Sequence, residues 1–184
     1  MRVAVYCSSS DEAHQSFRDD AAALGTAIGV AGHELVYGGG NIGSMGALAI
    51  AAQDAGARVV SVIPHFFHER GLTYEKSNEI HITQDMQERR KMMWERCDGV
   101  ITLPGGFGSL EEVSEMLVLN QLDLVKKPVV LANLAGFWDP LWQQFEMMDA
   151  NKMLPAGFKK LVSRAADGPS ALERLGVLLK GEQR

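Results

Sequence analysis

Apolar runs of four to six residues alternate with longer amphipathic stretches along the whole chain. The short runs fall at residues 3–7, 34–37, 58–63, 99–103 and 128–133, most of them punctuated by Gly, Pro, Ser or Asp, while 79–83 alternates like a strand and 160–164 is read as a last one. Runs this short read as buried strands. Between them lie helical patterns. Phe17, Ala21, Leu24 and Ile28 recur at helical spacing within 12–31, and Gly32 supplies the stop. Residues 44–55 predict a helix of small side chains that can lie close to a sheet. Further helices are predicted over 85–97, 109–124, 140–151 and 169–179, with 64–77 a loop holding one helical turn and 181–184 frayed. Strands alternating with helices call for a parallel sheet covered on both faces, joined by right-handed crossovers.

Such sheets bind ligands beyond the carboxyl ends of their strands. Two glycine-rich turns sit there. The second is the more telling. Pro104 and three glycines, Gly105, Gly106 and Gly108, follow an apolar strand and open a helix. Ser109 and Glu112 then form the S-x-x-E of a capping box, with Ser109 as N-cap. Free N–H groups at a helix start favour an anion, and glycines let the backbone approach it. A carboxylate one turn into that helix, Glu112, reaches the same ligand, so it reads either as a cap or as a catalyst. Glu111, about 100° around the helix, is solvated or a second contact.

The first turn, Gly38 to Gly43, matches G-x-G-x-x-G between a strand and a helix. It belongs to the second strand–helix unit, and the next strand ends without an acidic residue to hold a ribose. A nicotinamide or flavin fingerprint therefore fits poorly. Glycines for a tight turn, or a site wall in which Gly39, Gly40, Gly43 and Met45 touch a nucleotide, are the other readings. No Gly-Lys-Ser or Gly-Lys-Thr of a phosphate-binding Walker loop occurs.

In the helix predicted over 85–97, Asp85 is the N-cap with Glu88 at the third position. Met86 and Met93 define one face, and Arg89 and Arg90 lie on or beside it. Long stems that pack while charged heads reach water are one account. The other is a phosphate or carboxylate ligand, which the guanidinium fork suits. His65 and His68 stand three apart on a helical turn, a surface pair more readily than metal ligands.

Composition narrows the class. At 184 residues, one domain spanning 1–184 is expected. The net charge of −5 argues against a nucleic-acid partner, which calls for a basic face. Cys7 and Cys97 fit no metal spacing, and free buried thiols suit a reducing cytoplasm. No apolar run approaches a membrane span and no signal-type segment opens the chain, so a cytoplasmic protein without membrane attachment is expected.

The residues Val5 to Ser10, Val36 to Gly40 with Gly43 to Gly46, Val62 to Pro64, Met86 to Arg90 and Pro104 to Glu112 resemble the LONELY GUY (LOG) family of cytokinin-activating phosphoribohydrolases. Its signature, P-G-G-x-G-T-x-x-E with an upstream Arg, is met with Ser109 in place of Thr. The resemblance implies an α/β, Rossmann-like three-layer sandwich with a mostly parallel sheet of six or seven strands, and a homodimer. It implies hydrolysis of the N-glycosidic bond of a nucleoside 5′-monophosphate, typically an N6-modified adenine nucleotide, with no metal or redox cofactor. The catalytic pair maps to Arg89 and Glu112. Gly105, Gly106, Phe107, Gly108, Ser109, Leu110 and Glu111, with Arg90, would bind substrate. Related molybdenum-cofactor carriers offer the alternative of a non-catalytic binding protein for a phosphorylated heterocycle. Members are often labelled lysine decarboxylases, but the sequence has no pyridoxal-phosphate lysine signature. The family usually has Glu at Gly71, His at Gln87 and Thr at Val118, which leaves base specificity less defined than the reaction.

Overall fold

The computed structural model describes residues 1–154 and 157–181. Seven strands form one parallel sheet: β1 (Arg2–Tyr6), β2 (Glu34–Tyr37), β3 (Arg58–Pro64), β4 (Glu79–Thr83), β5 (Gly99–Thr102), β6 (Val129–Ala132) and β7 (Ser163–Ala165). Their order is β4-β3-β2-β1-β5-β6-β7. The chain winds outward from β1 to one edge, then returns to β5 and winds to the other. The order reverses between β1 and β5, and a crevice opens there beyond the strand ends.

Alternate residues of each strand feed two cores. Val3, Val5, Leu35, Tyr37, Ile101 and Leu103 pack under α1 (Gln15–Val30), α2 (Gly43–Asp54) and α7 (Gly168–Gly181). Ala4, Tyr6, Val36, Val62 and Val100 face α4 (Met86–Glu95), α5 (Phe107–Gln121) and α6 (Asp139–Ala150). The short α3 (His65–His68) is the helical turn expected within 64–77. The small residues of α2 serve a helix contact as much as the sheet. A Cβ on Gly25 of α1 would stand 2.3 Å from the Leu48 carbonyl oxygen, so the two helices meet backbone to backbone.

Several boundaries move, each for a local reason. α1 starts at Gln15 rather than residue 12, because Asp11 is held as loop. Its carboxylate accepts the Gly43 N–H at 2.8 Å and its carbonyl accepts Arg18 at 2.6 Å. The last strand is shorter and later than expected, since Phe158–Lys160 closes into a 3-10 turn. Asp85 caps α4, accepting the Glu88 N–H at 2.8 Å, but the Glu88 carboxylate reaches back to the Gln84 N–H at 2.7 Å, one residue earlier than a capping box requires. Of the stretch expected to fray, Gly181 ends α7 and 182–184 lie outside the described residues. No helix among the described residues is long and apolar enough to cross a membrane.

Candidate active site

A cavity of about 430 Å³ opens at the carboxyl ends of the central strands. Its walls come from the loop after β1 (Cys7, Ser8, Ser9, Ser10), the first glycine turn (Gly38, Gly40, Ile42, Met45), the β3–α3 segment (Ile63, Phe67, Leu72), α4 (Met86, Arg89) and the start of α5 (Gly106 to Ser109, Glu112).

Among the described residues, Arg89 and Glu112 are its only charged lining residues, and both are buried, at 4% and 3% exposure. Arg89 Nη1 donates to Glu112 Oε1 at 2.6 Å, and its Nε donates to the Val62 carbonyl at 3.2 Å. α4 and α5 each supply one partner, and β3 fixes the guanidinium plane. Gly38 leaves room for it: a Cβ there would lie 1.9 Å from Arg89 Nη2. Burial pushes the Glu112 carboxyl up, and the charge and hydrogen bond of Arg89 pull it part of the way back. Glu112 Oε2 accepts no hydrogen bond among the described residues, so one carboxylate oxygen is held and the other is free.

The capping-box reading of Ser109 and Glu112 is corrected. α5 begins earlier, at Phe107, with Gly106 rather than Ser109 as N-cap and no side-chain cap. Ser109 is therefore inside the first turn. Glycine at the N-cap leaves the N–H groups of Phe107, Gly108 and Ser109 without partners among the described residues. Gly106, Phe107 and Gly108 are exposed. Such an uncapped helix start, lining a cavity, favours an anion. Gly105 does not line it but brings the Ser109 hydroxyl in: a Cβ on Gly105 would stand 2.1 Å from Ser109 Oγ.

The first glycine turn is closed by contrast. The Gly43 N–H is taken by Asp11 and the Met45 N–H by the Ser8 carbonyl at 3.1 Å, so the α2 start has those donors committed to protein. Gly43 has φ +60 and backbone of Ser9 and Ser10 within 3 Å of where its Cβ would be. Gly39, at φ +78, packs on Ile63. Gly39 and Gly43 thus shape the wall without lining it, while Gly40 and Met45 line it.

Three further candidates lie outside the cavity. Arg90 points along α5, pairing with Glu111 at 2.9 Å and Glu115 at 3.2 Å, so it is the surface-facing member of the arginine pair. Glu111 and Leu110 also fall off the lining. Gly71, Gln87 and Val118 do not line the cavity either. The apolar wall beside the first two is formed instead by their neighbours Leu72 and Met86, with Ile63 and Phe67. His65 and His68 are spoken for separately: their Nδ1 atoms lie 3.0 Å from the Gln84 carbonyl and 2.9 Å from Thr73 Oγ1. Among the described residues, no cluster of three metal-ligating side chains occurs. The serines after β1, read as a strand end and as part of the family resemblance, were recoverable as site residues from their place after the strand where the sheet order reverses.

Comparison with known proteins agrees with this architecture. A family model described as "Possible lysine decarboxylase" matches residues 45–175. A rice (Oryza sativa subsp. japonica) protein named "Probable cytokinin riboside 5'-monophosphate phosphoribohydrolase" is 37% identical over 95% of this chain and 77% of its own length. A second rice protein, named "Cytokinin riboside 5'-monophosphate phosphoribohydrolase LOG", is 37% identical over 94% of this chain and 70% of its own. Among solved structures, the molybdenum cofactor carrier protein of Chlamydomonas reinhardtii superposes with a TM-score of 0.75 at 23% identity, covering 97% of this chain and 98% of that one, a likeness of fold. With the family model matched over most of its length and relatives aligned along nearly all of it, the chain belongs to the LOG family.

Proposed function

We propose that this protein hydrolyses the N-glycosidic bond of adenosine 5′-monophosphate, N6-modified or otherwise, or of a related nucleoside 5′-monophosphate, releasing free base and ribose 5-phosphate as in cytokinin activation. The observation that carries the reading is the buried Arg89–Glu112 pair beside the uncapped start of α5. The 5′-phosphate sits on the Phe107, Gly108 and Ser109 amides, with the Ser109 hydroxyl and the serines after β1 alongside. The ribose then lies over Glu112, and the base reaches the apolar wall of Ile63, Phe67, Leu72 and Met86.

Cleavage of the C1′–N bond sends its electron pair to the base and leaves oxocarbenium-like positive charge on the sugar. The ionised Glu112 stabilises that charge and takes the proton of the water whose oxygen bonds to C1′. The departing base nitrogen gains a proton from solvent, and Glu112 releases to solvent the one it took from the water, which restores the carboxylate. Arg89 keeps Glu112 ionised and oriented. A decarboxylase acting through a lysine Schiff base finds no lysine in this lining. The same intact pair favours an enzyme over a non-catalytic carrier.

The reading extends to one domain spanning 1–184 that acts in the cytoplasm as a homodimer. Met92, Trp94 and Leu119, half-buried on α4 and α5, are available for an interface, whereas Met116 is wholly buried in the core. A monomer mass by light scattering would remove the dimer. The activity test is dependence on the phosphate. AMP should be cleaved with kcat/KM at least about a hundredfold above adenosine, because phosphate binding energy is spent at the sugar. Equal rates would contradict the placement of the phosphate.

The pH dependence follows from Glu112. Its carboxyl titrates above the ordinary 4.5, so base release falls on acidification with a midpoint above that value. The effect on stability has the opposite sign. The folded chain holds this proton where the unfolded chain has released it, so the Glu112 contribution is full below 4.5 and is lost as pH rises through the folded value. A pH–kcat/KM profile whose acid limb lies at 4.5 or below contradicts the assignment.

A further inference from the structure

Asn41 lies in the first glycine turn and does not line the cavity, yet it makes more contacts to the opposite wall than any neighbour in the turn. Its backbone N–H donates to the Leu72 carbonyl at 3.1 Å. Its side-chain Nδ2 donates to the Gly71 carbonyl at 3.1 Å and the Thr73 carbonyl at 3.3 Å. Three consecutive carbonyls, 71 to 73, are thereby held by one residue. Gly40 bridges to Thr73, and the Tyr74 N–H donates to the Gly39 carbonyl at 2.9 Å, so the strap runs the length of the turn.

The clamped segment is the one that needs holding. It follows α3 as irregular backbone, and Gly71 sits at φ +70, a conformation that a side chain resists. Leu72, between the clamped carbonyls, lines the cavity, and its N–H returns to the carbonyl of Phe67, which also lines it at 3.2 Å from that N–H. Asn41 Oδ1 is buried without a partner among the described residues, so the amide acts through its donor side.

We propose that Asn41 is a positioning residue for base recognition, fixing the Phe67–Leu72 wall through the carbonyls of residues 71 to 73. The inference rests on the reading above that the base occupies the apolar end of the cavity. It separates the two ends of the ligand. Asn41→Asp replaces the donor with a carboxylate facing two carbonyl oxygens and releases the wall, while the α5 start and the Arg89–Glu112 pair stay in place.

The test compares wild type, Asn41→Ala and Asn41→Asp with N6-isopentenyl-AMP, AMP and ribose 5-phosphate, the last having no base. For Asn41→Asp, KM for N6-isopentenyl-AMP should rise about tenfold or more, the cost of losing the two side-chain hydrogen bonds that hold the wall. AMP should be affected less, kcat should hold within about threefold, and calorimetric affinity for ribose 5-phosphate should match wild type. Asn41→Ala should fall between the two. Equal weakening of all three ligands, or a fall in kcat at unchanged KM, overturns the proposal. If Asn41→Asp does not fold, Asn41→Ala decides by the same ratio. Failure of the hydrolase reading shows separately, as absence of base release by wild type, and the affinity ratios for nucleotide and ribose 5-phosphate still judge Asn41.

Discussion

Replacing Glu112 by Gln should lower base release about 10²- to 10⁴-fold while nucleotide affinity stays within a few-fold. Gln is close to Glu in shape and can still accept from Arg89 Nη1 through its amide oxygen. What it loses is the negative charge and the ability to take a proton. If positive charge on the ribose is the main barrier, that loss falls on kcat rather than on binding. Steady-state release of base, with nucleotide binding measured by calorimetry on the same preparation, checks both halves. A variant that retains a tenth or more of the wild-type kcat would mean that Glu112 is structural and the charge is met elsewhere.

Arg89→Ala should be the most destabilising single change at the site. It leaves the Glu112 carboxylate at 3% exposure with no partner, and a buried pair broken on one side costs about 3–5 kcal/mol. For a chain of this size that is a fall in melting temperature of roughly 6–20 °C. The variant also removes what pulls the Glu112 carboxyl down against burial, so its titration moves further up. Any residual activity should then have its acid limb displaced to higher pH. Thermal melts at two pH values test the pairing itself. The loss should shrink as the pH is lowered toward 4.5, where a protonated Glu112 no longer needs the cation. A melting shift of less than about 3 °C at neutral pH would show that water replaces the guanidinium without penalty.

Much of this was legible from residues alone, because the pattern that carried it was local. Apolar runs such as 34–37 and 99–103 are too short for helices and lie between glycines, and they became β2 and β5. The α/β class and the parallel sheet followed from that alternation. Arg89 and Arg90 stood out together because a guanidinium on or beside an apolar face calls for water or an anion at its head. Where reading failed, a residue's partner lay far away in sequence. Glu112 read equally as a cap for Ser109 three residues before it or as a catalyst, because its partner is Arg89, 23 residues earlier. Arg89 and Arg90 were equivalent on the helix, and only the packing of α4 over β3 and α5 sends one inward and the other to Glu111 and Glu115. The first glycine turn fitted three readings, and its neighbour Asp11, 32 residues away, decided that its helix start would be filled by protein rather than ligand. The apolar wall of the cavity was invisible because Ile63, Phe67, Leu72 and Met86 come from β3, α3, the segment after it and α4, which only the fold brings together.

The central claim is that bond cleavage occurs between ribose and base on a 5′-monophosphate. The most direct measurement incubates the purified protein with AMP, N6-isopentenyl-AMP and a panel of other nucleoside 5′-monophosphates, and quantifies free base and ribose 5-phosphate together. The account predicts both products in equal amounts from at least one adenine nucleotide, with the ribose 5-phosphate carrying one oxygen from labelled water. No base from any member of the panel, or base appearing only after separate loss of phosphate to give the nucleoside, would contradict it.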